Sequence, residues 1–249
     1  MTTISTPVWD LPTRLFHWLL AASVIVAYLT GEDEGTIFAV HVVAGHLVLL
    51  LLLVRIVWGF IGSPRSRFTD FTYSWHSIRE YATQLLRFSP PRHTGHNPLG
   101  GLMVFAMVVL LAAVTWTGLA SAAAKGYQAG SSLIAMMGAG SRAAGELHET
   151  LGSLIMVLAG IHVLAVFLHW LLTGDNIIRA MITGRKHLPA AEAAKERPLA
   201  GPARGIALAV FTAVAAIGVM RGFDWQALVT RPAGEAGEVD TGDGENDAD

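Results

Sequence analysis

Two histidines, His148 and His162, stand fourteen positions apart in an otherwise apolar run. On a helix, fourteen steps end about 40° short of four full turns and, at about 1.5 Å per residue, cover about 21 Å. Both imidazoles therefore look out from one helix face, near opposite ends. A polar ring inside hydrocarbon is costly and tends to be functional, and a bilayer core of about 30 Å would set these two rings near its two surfaces. Haem iron takes imidazole as an axial ligand, so such a helix could supply one side of each of two stacked b-type haems. The opposite ligands must then come from other helices, at the same two depths.

The composition fits that setting. Of 249 residues, 53% are apolar and only 14% charged, with a mean hydropathy of +0.49, which is the profile of a membrane protein. The chain has no cysteine, which excludes disulfides, thiolate-ligated clusters and covalent haem attachment. Any haem is held non-covalently.

Five apolar runs could position these groups. The first, about 15–29, follows Trp9-Asp10-Leu11-Pro12-Thr13-Arg14 and stops before Glu32-Asp33-Glu34; His17 and Trp18 interrupt its start and no small-residue cleavage site follows, so it reads as a retained span. The second, about 37–61, carries His41, His46 and Arg55. Residues 62–98 are basic and rich in turn signals, with a surface helix expected over 73–87. The third run, about 100–120, has neither histidine nor charge and reads as scaffold. A Gly-, Ala- and Ser-rich loop leads to the fourth, about 146–172. A polar basic segment precedes a short fifth run at 205–220, and seven carboxylates without a basic residue follow Arg231, a tail expected to be disordered. Such a tail could also steer a cationic redox protein.

Counting Lys and Arg near span ends orients the chain. With the N-terminus inside, thirteen fall on cytoplasmic segments and four (Lys125, Arg142, Arg221, Arg231) outside, so five spans place the tail in the periplasm. In that frame His17 is level with His162 near the cytoplasmic surface, and His41 is level with His148 near the outer one. One histidine near a span end reads more readily as an interface residue than as a ligand, but two pairs matching at two depths favour ligation. His46, five residues beyond His41, faces about 140° away. It is the alternative ligand on the second span. His169 reads as a hydrated interface residue or a quinone contact, and His76, His93, His96 and His187 as solvated. Arg14 and Arg55, on the cytoplasmic side, suit haem propionates; plain positive-inside anchoring explains them equally well.

Several stretches together resemble bacterial cytochrome b561. They are Trp9 to Trp18, His41 with Gly45 followed by Arg55-Ile56-Val57-Trp58-Gly59, Arg67-Phe68 with Asp70-Phe71, Gly95-His96-Asn97-Pro98-Leu99-Gly100, and Asn176 to Lys186. The wider group includes the b-type cytochrome subunits of nickel-iron hydrogenases. The resemblance runs from about residue 8 to 188 and implies an all-α integral membrane protein, a four-helix transmembrane dihaem bundle, here with a fifth transmembrane helix added. It implies His17, His41, His148 and His162 as ligands of two haem b, with His41 preferred to His46 because it precedes Gly45 and Arg55 in the family pattern. The expected organisation is a dihaem domain over 1–188, a basic linker with the fifth helix over 189–222 and an acidic tail over 223–249.

The expected function is electron transfer across the bacterial inner membrane, between the quinone pool and a redox partner such as a c-type cytochrome or a dehydrogenase or hydrogenase subunit. Membrane lipid and quinone are expected contacts, nucleic acid is not. A second reading is superoxide oxidation at the outer face coupled to ubiquinone reduction, with Lys125 and Arg142 supplying positive charge. A third is a haem-free transporter or scaffold.

Overall fold

A computed structural model describes residues 2–31 and 35–230. In chain order the elements are strand β1 (Thr3–Pro7), helices α1 (Leu11–Leu29), α2 (Gly35–Ile61), α3 (Trp75–Leu86), α4 (Pro98–Ala124), α5 (Ser132–Met136), α6 (Arg142–Thr173) and α7 (Ile177–Thr183), strand β2 (Arg185–Pro189), and helices α8 (Ala190–Ala193), α9 (Pro202–Val219) and α10 (Trp225–Val229). Five of these, α1, α2, α4, α6 and α9, are long and apolar enough to cross a membrane. Their outward faces carry large apolar side chains such as Val109, Leu164, Val214 and Ile217, the inverse of a water-soluble surface. The helices pack as α1 on α2, α2 on α4 and α4 on α6. Val48, Leu52, Leu111 and Ile155 form the central core between them.

Two motif stretches start helices. Asp10 caps α1 by accepting the N–H of Thr13 at 2.8 Å, while its other oxygen accepts from Trp58 Nε1 at 3.0 Å and Ser66 Oγ at 3.2 Å. The cap thus also locks α1 to the end of α2. Asn97 caps α4 through the N–H of Gly100 at 2.7 Å, with Pro98 at the first turn. These contacts lie at the end that also holds Arg14, Arg55 and α3, here the basic end.

The helical expectation needs one addition, an antiparallel ribbon of β1 and β2 at the basic end. Gly184, at φ +78°, turns the chain into β2 and accepts the N–H groups of Val8 and Trp9; a Cβ there would meet the Trp9 carbonyl oxygen at 2.7 Å.

Helix α9 starts at the basic end, where Ala200 N–H donates to Ser63 Oγ at 2.9 Å, and runs antiparallel along α2. Beyond it, Arg221 O accepts from Ser132 N–H and Asp224 N–H donates to Gly130 O, both in the loop between α4 and α6. Residues 223–230, expected to open the tail, are instead packed: Leu228 is fully buried against Ala39, Ala123 and Ile134. The acidic stretch after Thr230 lies outside the described residues.

Candidate functional site

The four histidines come together as two pairs. Near the basic end the rings of His17 (α1) and His162 (α6) have centroids 6.3 Å apart at 55°; near the opposite end His41 (α2) and His148 (α6) are 5.8 Å apart at 89°. Two imidazoles on opposite sides of one metal ion, with metal–nitrogen distances of about 2.0 Å, have centroids roughly 6 Å apart. Two donors per site suit an ion whose other positions are filled by a macrocycle.

The pair away from the basic end is oriented by backbone. Nδ1–H of His41 donates to Ala27 O at 2.8 Å, and Nδ1–H of His148 to Val114 O at 2.9 Å. A carbonyl can only accept, so both Nδ1 atoms carry the proton and both Nε2 atoms keep a lone pair for a metal. Helix α4, expected to be mere scaffold, supplies Val114 and also Gly118, where a Cβ would sit 2.8 Å from His148 Cε1. Both rings line a cavity of about 1050 Å³ with Gly45, Gly118 and Gly152. A Cβ added at Gly45 or Gly152 would meet nothing within 4 Å, which leaves open space beside the histidines. The cavity is large enough for a porphyrin-sized ligand. Lys125 and Glu149 also line it, whereas Arg142 is exposed at the first turn of α6.

His46 also lines this cavity, but its nitrogens are turned to other partners. It is buried, with Nδ1–H donating to Val42 O and Nε2 accepting from Ser131 Oγ, each at 2.8 Å, and Phe223 packs on its ring. Both of its nitrogens are used.

At the basic end several buried nitrogens have no protein partner among the described residues. Arg14 Nε–H, a donor, and His17 Nδ1 and His96 Nδ1, whose roles depend on the tautomer, are all buried and unpartnered. Buried donors need acceptors, and acidic groups such as propionates would fit. Arg14 is fixed by Nη1–H donating to Ile182 O at 2.6 Å. Arg55 is buried, donates to Ser66 O at 3.0 Å and lies over Phe68 at 4.9 Å and Phe71 at 5.6 Å. These cation–π contacts hold its charge at the end of α2.

Two histidines read as solvated or hydrated are enclosed. His96 packs edge-on against Trp9 at 4.9 Å and against Phe71 at 4.7 Å, and burial, with Arg55 nearby, pushes its pKa down to about 3. His169 is buried beside Tyr81 and Asp175. Burial works to raise the Asp175 carboxyl, but His169 and the Lys186 ammonium, 2.7 Å away, outweigh it and hold the carboxyl at about 2. His93, against Tyr81, is half-buried, whereas His76 and His187 are exposed as expected.

A family model described as prokaryotic cytochrome b561 matches residues 8–184. Among curated proteins, one named "Probable Ni/Fe-hydrogenase B-type cytochrome subunit" from Azotobacter vinelandii is 30% identical over 129 residues, 41% of this chain and 53% of its own length. The protein of that name from Rhodobacter capsulatus is 23% identical over 210 residues, covering 72% and 80% respectively. The chain spans about half the length of the first of these relatives. No solved structure matches. With the matched region running from the cap of α1 to the turn before β2, the chain belongs to the prokaryotic cytochrome b561 family.

Proposed function

We propose that this chain carries electrons across a bacterial inner membrane through two b-type haems. His17 and His162 hold the inner haem, His41 and His148 the outer. One observation carries the reading: two histidine pairs at metal-bridging separations, near opposite ends of α6, in a chain of this family. Each iron, when bound, supplies a one-electron ferric/ferrous couple. The protein's part is orientation. Ala27 O and Val114 O fix the tautomer and orientation of the outer ligands, and Arg14 and Arg55 offer positive charge and donors where inner propionates would lie. The distribution of Lys and Arg supports a cytoplasmic N-terminus, with Thr230 on the periplasmic side. The relatives' names favour a hydrogenase or comparable redox subunit as one partner, with quinone or a c-type cytochrome as the other. A reduced-minus-oxidised spectrum and pyridine haemochrome assay of the purified protein test this: two haem b per chain are expected, and no b-type band would leave the transporter or scaffold reading.

The Lys125 ammonium on the rim of the outer cavity supports a second reading, in which superoxide gives one electron at the outer face and is released as dioxygen. Two such electrons and two protons would reduce a quinone to quinol. Stopped-flow reduction by superoxide, lost in Lys125→Gln, separates this reading from electron transfer with a protein partner.

A further inference from the structure

A second basic site lies away from both histidine pairs, in the cleft where α2 ends and α9 begins. It is a cavity of about 560 Å³ lined by Pro64, Arg67, Arg197, Leu199, Gly201 and Arg204. Among the described residues its charge is not balanced. Glu196 is taken up by Arg65, and Asp70 is shared between Arg67 Nε at 3.0 Å and Arg197 Nη2 at 2.6 Å. Among the described residues Arg204 reaches only the carbonyl oxygen of Gly62, at 3.4 Å. Four guanidinium groups thus face two carboxylates, and Arg197 and Arg204 remain exposed. The depth of the cleft is set by its neighbours. Two residues after Arg204, Ile206 begins an outward row with Val210 and Val214, and Phe60 on α2 is equally bare. The arginines therefore sit where an apolar helix surface first meets the polar end of the bundle, at headgroup level.

We propose that this cleft binds the headgroup of an anionic phospholipid. Its phosphate would lie against Arg197 and Arg204, with one acyl chain running down Phe60 and Ile206. Basic pockets between transmembrane helices on the cytoplasmic side take such headgroups, and bidentate guanidinium groups match phosphate geometry. The site is independent of the haem assignment.

The test is native mass spectrometry of the full-length protein in a neutral detergent, titrated separately with phosphatidylglycerol, phosphatidylcholine and inorganic phosphate. One phosphatidylglycerol is expected to stay bound in preference to phosphatidylcholine. Its bound fraction should fall by about tenfold in Arg197→Gln/Arg204→Gln. The control Arg87→Gln/Arg179→Gln, two exposed arginines at the same end but outside the cleft, should leave it unchanged. Should the double variant fold poorly, Arg204→Gln alone must weaken retention. The proposal is overturned if discrimination survives these variants, if the control loses it equally, or if inorganic phosphate displaces the lipid at matched concentration.

Discussion

Nδ1 of His148, on α6, donates to the carbonyl oxygen of Val114, on α4, at 2.9 Å. A helix without a histidine or a charge therefore sets the orientation of a histidine on its neighbour. Gly118, one turn further along α4, leaves room for the imidazole, because a Cβ there would sit 2.8 Å from His148 Cε1.

Gly118→Val should consequently displace His148. Overpacking of this kind costs roughly 1–3 kcal/mol, and the expected result is loss or high-spin conversion of the outer haem with the inner one unchanged. Haem per chain and the low-spin electron paramagnetic resonance signals check this. Retention of both signals would mean that α4 does not constrain the ligand.

His46→Ala should keep both haems, because neither nitrogen of His46 is available to a metal. It leaves Ser131 Oγ without its buried acceptor, a loss of about 1–3 kcal/mol. A lowered thermal midpoint with an unchanged spectrum is the expected pattern. Haem loss in His46→Ala, with none in His41→Ala, would exchange their roles.

A pH dependence follows from His96. Its pKa in the fold, about 3, lies below the ordinary 6.5, so between these values the unfolded chain binds a proton that the folded one refuses. This contribution to stability is complete above pH 6.5 and is lost as pH falls toward 3. His96→Phe keeps a ring between Trp9 and Phe71 but cannot titrate. Its thermal midpoint should fall less than that of the natural protein over this interval; parallel curves would contradict the assignment.

How much of this is legible in the sequence depends on where the cause lies. His17, His41, His148 and His162 stand out because a polar ring in an apolar run is conspicuous, and spacing together with the Lys and Arg distribution sorts them by depth into the pairs the fold brings together. The contributions of α4 are invisible for the opposite reason: a backbone carbonyl and a missing Cβ have no polar signature. His96 sits among Arg92, Thr94 and Asn97 and reads as solvated, yet Trp9 and Phe71, distant in sequence, close over it. His169 is enclosed in the same way by Tyr81 and Asp175. The ribbon of β1 and β2 joins two five-residue stretches separated by the whole matched region, beyond the reach of local periodicity.

The fifth helix is the shortest of the apolar five, and its course along α2 from one end to the other gives a topology test. Reporters fused after Lys195 and after Thr230 should report opposite sides of the membrane, cytoplasm and periplasm respectively. Signals from the same side would mean that α9 does not cross.

The central claim, that the four histidines form two independent axial pairs, is tested most directly by redox titration of His17→Ala, His41→Ala, His148→Ala and His162→Ala, with haem counted per chain. Loss of either outer ligand should leave one haem at one residual midpoint potential, common to His41→Ala and His148→Ala. Loss of either inner ligand should leave the other haem, at a second potential common to His17→Ala and His162→Ala. Residual potentials that group His17→Ala with His148→Ala, or one common value for all four variants, would contradict the pairing.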